Sequence, residues 1–454
     1  MAMTSAPGFA ARQAAIRALS AVLRQHLSLD TALADILRAN PLPSRDGGFA
    51  RAIASQTLRR FGQLNALITA YAPKPLAPHR AGAALEILLA GACELLFLKV
   101  PSHAAVDGAN RLAAADAKAR HFKGLINAVL RRVAREGETL LQGQDAARLN
   151  TPDWLWQRWC DAYGEAITQK IAERHGVPAP LDIHGKPLFA GFPAATALPG
   201  RVWRLPAGTR VESLEGFADG TWWVQDFAAT LPVRLFGEIS GARVLDLCAA
   251  PGGKSAELAV CGAEVTAIER DPVRLERLAA NLARLGLKAE LVCADLRDWT
   301  GTDPYPFVLL DAPCSATGTI RRHPELPWIK SAADVTFCAA LASELLDAAA
   351  ELTAHSGLLV FSVCSLEPEE GEEQIARFLA RRPDFRRLPI RAEEIFNLDA
   401  LISAKGDLRT LPCHLSDLGG MDGFYAARLQ RSGKPSERVG YGQIDPAGVG
   451  PQQR

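Results

Sequence analysis

Two cysteines and an aspartate stand where apolar runs end. Phe307–Leu310 leads into Asp311-Ala312-Pro313-Cys314-Ser315-Ala316-Thr317-Gly318, and Gly357–Phe361 leads into Ser362-Val363-Cys364-Ser365. Short apolar runs that alternate with helical segments read as buried parallel strands. The carboxyl ends of such strands border a single ligand crevice. One buried cysteine is an ordinary small apolar filler. Two at neighbouring strand ends, beside a carboxylate, point to nucleophilic chemistry, in which a thiolate bonds to the substrate and divides one hard step into easier ones. A free thiol has a pKa of ~8.5, so the thiolate needs a cation or a base nearby, and Lys254 is the candidate cation.

Lys254 belongs to the stretch Asp246-Leu247-Cys248-Ala249-Ala250-Pro251-Gly252-Gly253-Lys254-Ser255. It follows the apolar run Ala242–Leu247 and precedes a helix that begins at Ala256–Val260. Strand, glycine turn and helix together form a ligand-binding connection. Gly253-Lys254-Ser255 matches the end of a phosphate-binding P-loop, but Cys248 stands where that loop needs its first glycine. The dinucleotide fingerprint is missing as well, which disfavours a nicotinamide oxidoreductase. A nucleoside-type ligand without a phosphate tail remains. Glu269 closes the run Glu264–Ile268 and is expected to accept hydrogen bonds from ribose hydroxyls, while Asp295, after Ala289–Cys293, is expected at a base edge. This arrangement resembles the S-adenosylmethionine crevice of class I methyltransferases.

A methyl donor beside two cysteines suits methylation of pyrimidine carbon 5. That carbon is a poor nucleophile until a thiolate adds to carbon 6 and makes it enamine-like. A base then removes the carbon 5 proton and the thiolate leaves. Asp311 is expected to hydrogen-bond the N3 and N4 edge, selecting cytosine over uracil. Residue types alone do not say which cysteine attacks: in DNA cytosine-5 methyltransferases the nucleophile belongs to a Pro-Cys pair, which would pick Cys314.

The elements that must position these residues are legible from Ala242 onward as alternating strand and helix. Pro272–Leu285 reads as a helix with Leu275, Leu278, Leu282 and Leu285 on one face, Leu341–Thr353 as part of a long helix, Gln374–Arg381 as the end of another, and Met421–Leu429 as a late edge strand. Before them lie two other regions. Residues 9–140 read as helical throughout, with Ala14, Ile16, Leu19, Val22 and Leu23 at helical spacing. Residues 141–240 read as a connector or small mixed subdomain, with Trp154, Trp156 and Trp159 on one helix from Asp153 to Lys170, Pro178–Gly200 rich in turn formers, and Trp222-Trp223-Val224 as a strand. The tail 431–454 is rich in Gly, Pro and polar residues and reads as disordered.

At 454 residues, 48% hydrophobic and 22% charged, the chain has the composition of a globular protein with ample core. It has no apolar run long enough for a membrane helix and no secretory pattern at its start, so no membrane partner is expected. The nine cysteines are odd in number and contain no C-x-x-C pair, which predicts reduced thiols in the cytoplasm and no bound metal. Charge is uneven. Residues 1–150 hold 19 Lys and Arg against 10 Asp and Glu, whereas the rest hold 32 against 40. The clusters Arg59-Arg60, Lys118–Lys123 and Arg131-Arg132-Arg135 give the first part its basic character, which suits a polyanionic partner.

Residues 9–140 resemble the all-helical RNA-binding domain of the NusB antitermination factor, in Ala11–Ala21, Arg51–Leu64, Leu95–Ala104 and, most specifically, Gly124-Leu125-Ile126-Asn127-Ala128-Val129-Leu130-Arg131-Arg132. Residues 241–430 resemble RNA cytosine-5 methyltransferases, in particular the bacterial RsmB (Sun or Fmu) family acting on 16S ribosomal RNA. The strings that carry this are Asp246–Ser255, Asp311–Gly318, Arg321-Arg322-His323-Pro324-Glu325, Val363-Cys364-Ser365 and Asp422–Ala426. The resemblance implies a doubly wound, Rossmann-like α/β catalytic domain behind an all-α domain, S-adenosylmethionine as cofactor and RNA, not DNA, as partner. It implies Cys364 as nucleophile and Cys314 as the residue assisting release. Cys248, Ala249, Ala250, Pro251, Gly252, Gly253, Lys254, Glu269, Asp295 and Asp311 map to methyl-donor contacts, with Lys254 also near the target base. Glu269 replaces a more usual Asp, and Val363 a more usual Thr. The connector lacks the family's arginine–asparagine motif, reading Leu181-Asp182-Ile183-His184-Gly185. Arg321, Arg322 and His323 are expected to meet phosphates beside an extruded base, since carbon 6 is shielded within a stacked helix. A monomer is favoured. The alternatives are the same reaction on transfer RNA or another RNA, and a non-catalytic NusB-like RNA-binding or assembly factor.

Overall fold

The computed structural model describes residues 8–299 and 303–433. Of the tail 431–454, expected to be disordered, residues 434–454 lie outside the described residues, while Arg431 instead ends a strand, paired opposite Phe385. Alanine- and leucine-rich segments at helical spacing form eight helices in the first part, α1 Phe9–Gln25, α2 Leu29–Ala39, α3 Ser44–Arg59, α4 Phe61–Tyr71, α5 Pro78–Ala81, α6 Ala84–Leu96, α7 Ser102–Ala115 and α8 Lys123–Gln142. Their apolar faces close one core around Leu19, Ile53, Leu88 and Val129.

The connector holds the short α9 Ala146–Leu149, then α10 Asp153–Tyr163 and α11 Glu165–His175. The single tryptophan helix expected here is thus two, because Gly164 between them adopts φ 80° and breaks the helical path. Trp159 is fully buried and its indole donates to Glu367 Oε1 at 3.0 Å, so it packs between domains. Four strands follow: β1 Leu181–Gly185, β2 Thr196–Leu198, β3 Val202–Leu205 and β4 Trp222–Val224, antiparallel in the order β2-β3-β1-β4. Asp182 in β1 is consumed by an ion pair with Arg204 at 2.6 Å.

From α12 Phe227–Arg234 the chain alternates: β5 Arg243–Leu247, α13 Gly253–Val260, β6 Glu264–Glu269, α14 Pro272–Leu285, β7 Glu290–Cys293, β8 Tyr305–Asp311, α15 Leu326–Ile329, α16 Ala332–Leu352, β9 Thr353–Val363, α17 Glu372–Arg381, β10 Phe385–Arg387, β11 Leu408–Thr410 and β12 Phe424–Arg431. The main path of the sheet runs β10-β12-β9-β8-β5-β6-β7, with β11 also paired to β12. Strands β5 to β9 are mutually parallel, and β12 joins β9 antiparallel with Tyr425 opposite Val363. This is a doubly wound Rossmann-like sheet, and its order reverses between β5 and β8, where such sheets bind ligands. Two expectations change. β12 is not an edge strand, since β9 flanks it on one side and β10 and β11 pair with it on the other. Thr353 begins β9 instead of ending the preceding helix.

Candidate active site

The loop after β5 turns sharply into α13. Gly252 adopts φ 101°, which side-chain-bearing residues avoid, and Cys248 takes φ 60°. The loop is gripped from α14: Arg274 donates to Ala250 O at 2.6 Å and Asn281 to Pro251 O at 2.9 Å. Loop and sheet together line a cavity of about 440 Å³. Cys248 to Pro251, Gly253, Lys254, Asp311, Cys314 and Cys364 all border it, although they come from three separate strand ends.

The two cysteines meet. Cys314 Sγ lies 3.5 Å from Cys364 Sγ. The hydrogen bond to Cys364, together with burial, pushes the Cys314 thiol well above its ordinary range. Lys254 is nearly buried, and its ammonium donates to Asp311 Oδ2 at 2.7 Å and sits 5.0 Å from the centre of the Phe424 ring. Burial opposes the charge on Lys254, but Asp311 outweighs it and the pKa rises, so the ammonium persists. Asp311 also accepts from Ser362 Oγ at 2.8 Å, its neighbour across β8 and β9. Cys248, by contrast, is an inert thiol, raised to about 12 by burial and by the carboxylates around it.

One carboxylate serves the loops of both cysteines. Buried Glu370 accepts from Ser315 N at 2.8 Å, from Ser315 Oγ at 2.6 Å and from Ser365 Oγ. Ser315 and Ser365 each directly follow a cysteine. Glu370 and Ser362 escaped sequence reasoning. The available signal was the position of Ser362 opposite Asp311 in register, but nothing local distinguishes Glu370 from its acidic neighbours Glu367 and Glu369.

The crevice has unfilled acceptors of the kind a nucleoside methyl donor requires. Glu269, at the end of β6, does not itself border the cavity, but its Oε2 is buried without a hydrogen bond behind Arg274, which does border it and whose guanidinium lies 3.3 Å away. Asp246 Oδ1 is buried and unpartnered, and burial raises this carboxyl to about 7 despite the hydrogen bond from Ser255. These residues fit S-adenosylmethionine, whose ribose hydroxyls and ammonium are donors.

Three expected contacts are arranged otherwise. Asp295 binds Arg297 through both oxygens, at 3.0 and 2.8 Å, which pulls its carboxyl down to about 2, and it does not border the cavity. Arg321 is 1% exposed and bonds Asp226 at 2.8 Å, Asp422 at 3.2 Å and Gly419 O at 3.1 Å, so it is a strut under the crevice and cannot reach a phosphate. Arg59, counted among the basic clusters, is likewise buried and donates to Arg321 O and His175 O. Arg322, half-exposed and held by Asp422 at 2.7 Å, and His323 do border the cavity. Among the described residues no helix is long and apolar enough to cross a membrane. All nine cysteines are free.

Comparison with known proteins agrees with this architecture. The profile of the 16S rRNA methyltransferase RsmB/F family matches residues 237–430, and that of the NusB family matches residues 10–135. The ribosomal RNA small subunit methyltransferase B of Pseudomonas putida is 37% identical over 441 residues, covering 92% of this chain and 98% of that protein. Its namesake from Vibrio cholerae is 35% identical over 392 residues, 81% of this chain and 90% of that protein. The crystal structure of a protein called PH0851 superposes with a TM-score of 0.73 at 21% identity, covering 94% of this chain and 99% of that one, which shows a shared fold.

Proposed function

The chain belongs to the 16S rRNA methyltransferase RsmB/F family, and from that premise we propose that it is an S-adenosylmethionine-dependent RNA cytosine-5 methyltransferase acting on 16S ribosomal RNA. The observation that carries this reading is the pair of thiols 3.5 Å apart, bordered by the Lys254–Asp311 ion pair in a crevice with unfilled nucleoside acceptors. When bound, S-adenosylmethionine supplies an electrophilic methyl group on a sulfonium. Glu269 and Asp246, with the backbone of Cys248 to Gly253, are the groups that would hold it.

The protein's own residues perform the rest. Cys364 is the nucleophile, the role its match to the family's strand-end cysteine implies: it lies 3.5 Å from Cys314, whose own thiol is pushed above its ordinary range, and it borders the cavity that the Lys254 ammonium also lines. The Cys364 thiolate bonds to cytosine carbon 6, and carbon 5 becomes enamine-like. Asp311, fixed by Lys254 and Ser362, accepts from the exocyclic N4 amine, which uracil lacks. Once carbon 5 carries its methyl group, loss of its proton to a base expels the Cys364 thiolate and restores the aromatic ring. Cys314 assists that release.

The test is nucleoside analysis of 16S ribosomal RNA after incubation with the purified protein and labelled S-adenosylmethionine. Label in 5-methylcytidine is the expected result. Label in another nucleoside, or none, overturns the reading.

A further inference from the structure

The crevice continues beyond the cysteines. It shares Pro180, Leu181, Arg322 and His323 with a second cavity of about 360 Å³. One wall of this cleft is the face of α3 that carries Arg51, Ser55 and Arg59, spaced four residues apart and therefore stacked along one side of the helix. The connector turn Ala207–Thr209 and the loop from Arg321 to Glu325 form the others.

The helical domain is welded to this cleft. Arg59 donates to Arg321 O at 2.8 Å, the Trp328 indole donates to Leu58 O at 2.9 Å, and the Phe61 and Trp328 rings lie 4.6 Å apart. Leu29 N adds a bond to Glu325 Oε1. The domain is thus a fixed wall beside the active site and not a tethered module.

The charge in the cleft is specific. Exposed Arg51 pairs with Asp30 at 2.6 Å. Burial pushes the Asp30 carboxyl up, but Arg51 first, and then the basic side chains of His323 and Arg322, hold it below the usual carboxylate range. Asp30 therefore sits among basic side chains from both the helical and the catalytic domains, with Glu325, 3.7 Å from His323, as the second carboxylate of the lining. A phosphodiester carries the same charge and accepts the same hydrogen bonds.

We propose that this cleft carries the sugar–phosphate backbone of the single-stranded RNA flanking the target nucleotide, with Arg51 as a phosphate ligand and Asp30 as the anion that RNA displaces. The proposal rests on the RNA-methyltransferase reading above and extends it to a path for the strand. An extruded base in the crevice leaves its neighbours to exit along a connected groove, and this groove is continuous with the Arg322 side of the site.

The experiment measures binding of a fluorescein-labelled, cytosine-containing single-stranded RNA oligonucleotide to the full-length protein across a salt series. Arg51→Ala should weaken binding several-fold and lower the slope of log affinity against log salt by about 0.7, the loss of one single-strand phosphate contact. Asp30→Asn should tighten binding, because it frees Arg51 and removes a repulsive charge. Arg386→Ala on β10 loses the same charge outside the cleft and should match wild type. The proposal is overturned if wild type does not bind, if Arg51→Ala keeps wild-type affinity and slope, or if Asp30→Asn binds more weakly. Because no methyl transfer is needed, the expected pattern in a protein that methylates nothing would sink the catalytic reading and leave the strand path standing.

Discussion

Replacing Glu370 by alanine removes the carboxylate shared by the loops following the two cysteines, which are also joined by Gly318 N to Cys364 O at 3.1 Å and Leu366 N to Thr317 Oγ1 at 3.0 Å. Three donors lose their acceptor: Ser315 N–H, Ser315 Oγ and Ser365 Oγ. The hydroxyls are 3.4 Å apart and can turn toward each other, and Ser365 Oγ can also turn toward Thr317 Oγ1. The Ser315 amide has no such freedom. Leaving a buried amide unpaired costs about 1–3 kcal/mol, which a domain of ordinary stability survives. The loops, still joined at Gly318 and Thr317, are expected to relax locally around Ser315 and to shift the 3.5 Å sulfur spacing. A displacement of about 1 Å at a reacting group costs on the order of 10²-fold in rate. Glu370→Ala should therefore lose about that factor in kcat for methyl transfer while binding S-adenosylmethionine normally. Glu370→Gln, which keeps the size and one carbonyl acceptor for the amide, should fall between it and wild type. Steady-state kinetics with separate titration of cofactor and RNA measures the split. A Glu370→Ala enzyme with wild-type kcat, or a loss expressed only in cofactor affinity, would refute the tether.

Gly318 lies where an added Cβ would meet Gly423 O at 1.9 Å, in the backbone contact that closes the Cys314 loop against the start of β12. Gly318→Ala should destabilise by ~2–3 kcal/mol through overpacking, read from denaturant midpoints, and an unchanged midpoint would contradict the packing described. Glu257 is buried behind Gln225 and raised to about 8 by that burial, partly offset by the Gln225 hydrogen bond. The folded chain thus keeps a proton that the unfolded chain gives up near pH ~4.3, so this group's stabilisation is complete below that pH and is lost as pH rises toward 8. Glu257→Gln should flatten the decline in denaturant midpoint between acidic and mildly basic buffer, and an identical slope in the two proteins would count against it.

The catalytic sheet was readable because its parallel strands are buried on both faces and therefore appear as unbroken apolar runs. The glycine loop and the two strand-end cysteines followed from where those runs stop. What escaped has a common cause in distance along the chain. An arginine triplet looks the same whether it meets phosphates or buried carboxylates, and the partners of Arg321 lie 95 and 101 residues away. Arg59 reaches a carbonyl 262 residues distant. β10 and β11 are three residues each, too short to show a period; without them β12 looked like an edge. Asp295 was assigned to a ligand by its place after a strand, but Arg297, two residues on, takes both of its oxygens.

The central claim is that Cys364 attacks and Cys314 assists release. Wild type, Cys314→Ala and Cys364→Ala would be incubated with 16S ribosomal RNA and labelled S-adenosylmethionine, and each reaction divided between RNA methyl counts and a denaturing gel for protein–RNA adducts. The account predicts neither methyl transfer nor adduct for Cys364→Ala, and a trapped adduct for Cys314→Ala. An adduct that survives in Cys364→Ala and is absent in Cys314→Ala would contradict it and make Cys314 the nucleophile.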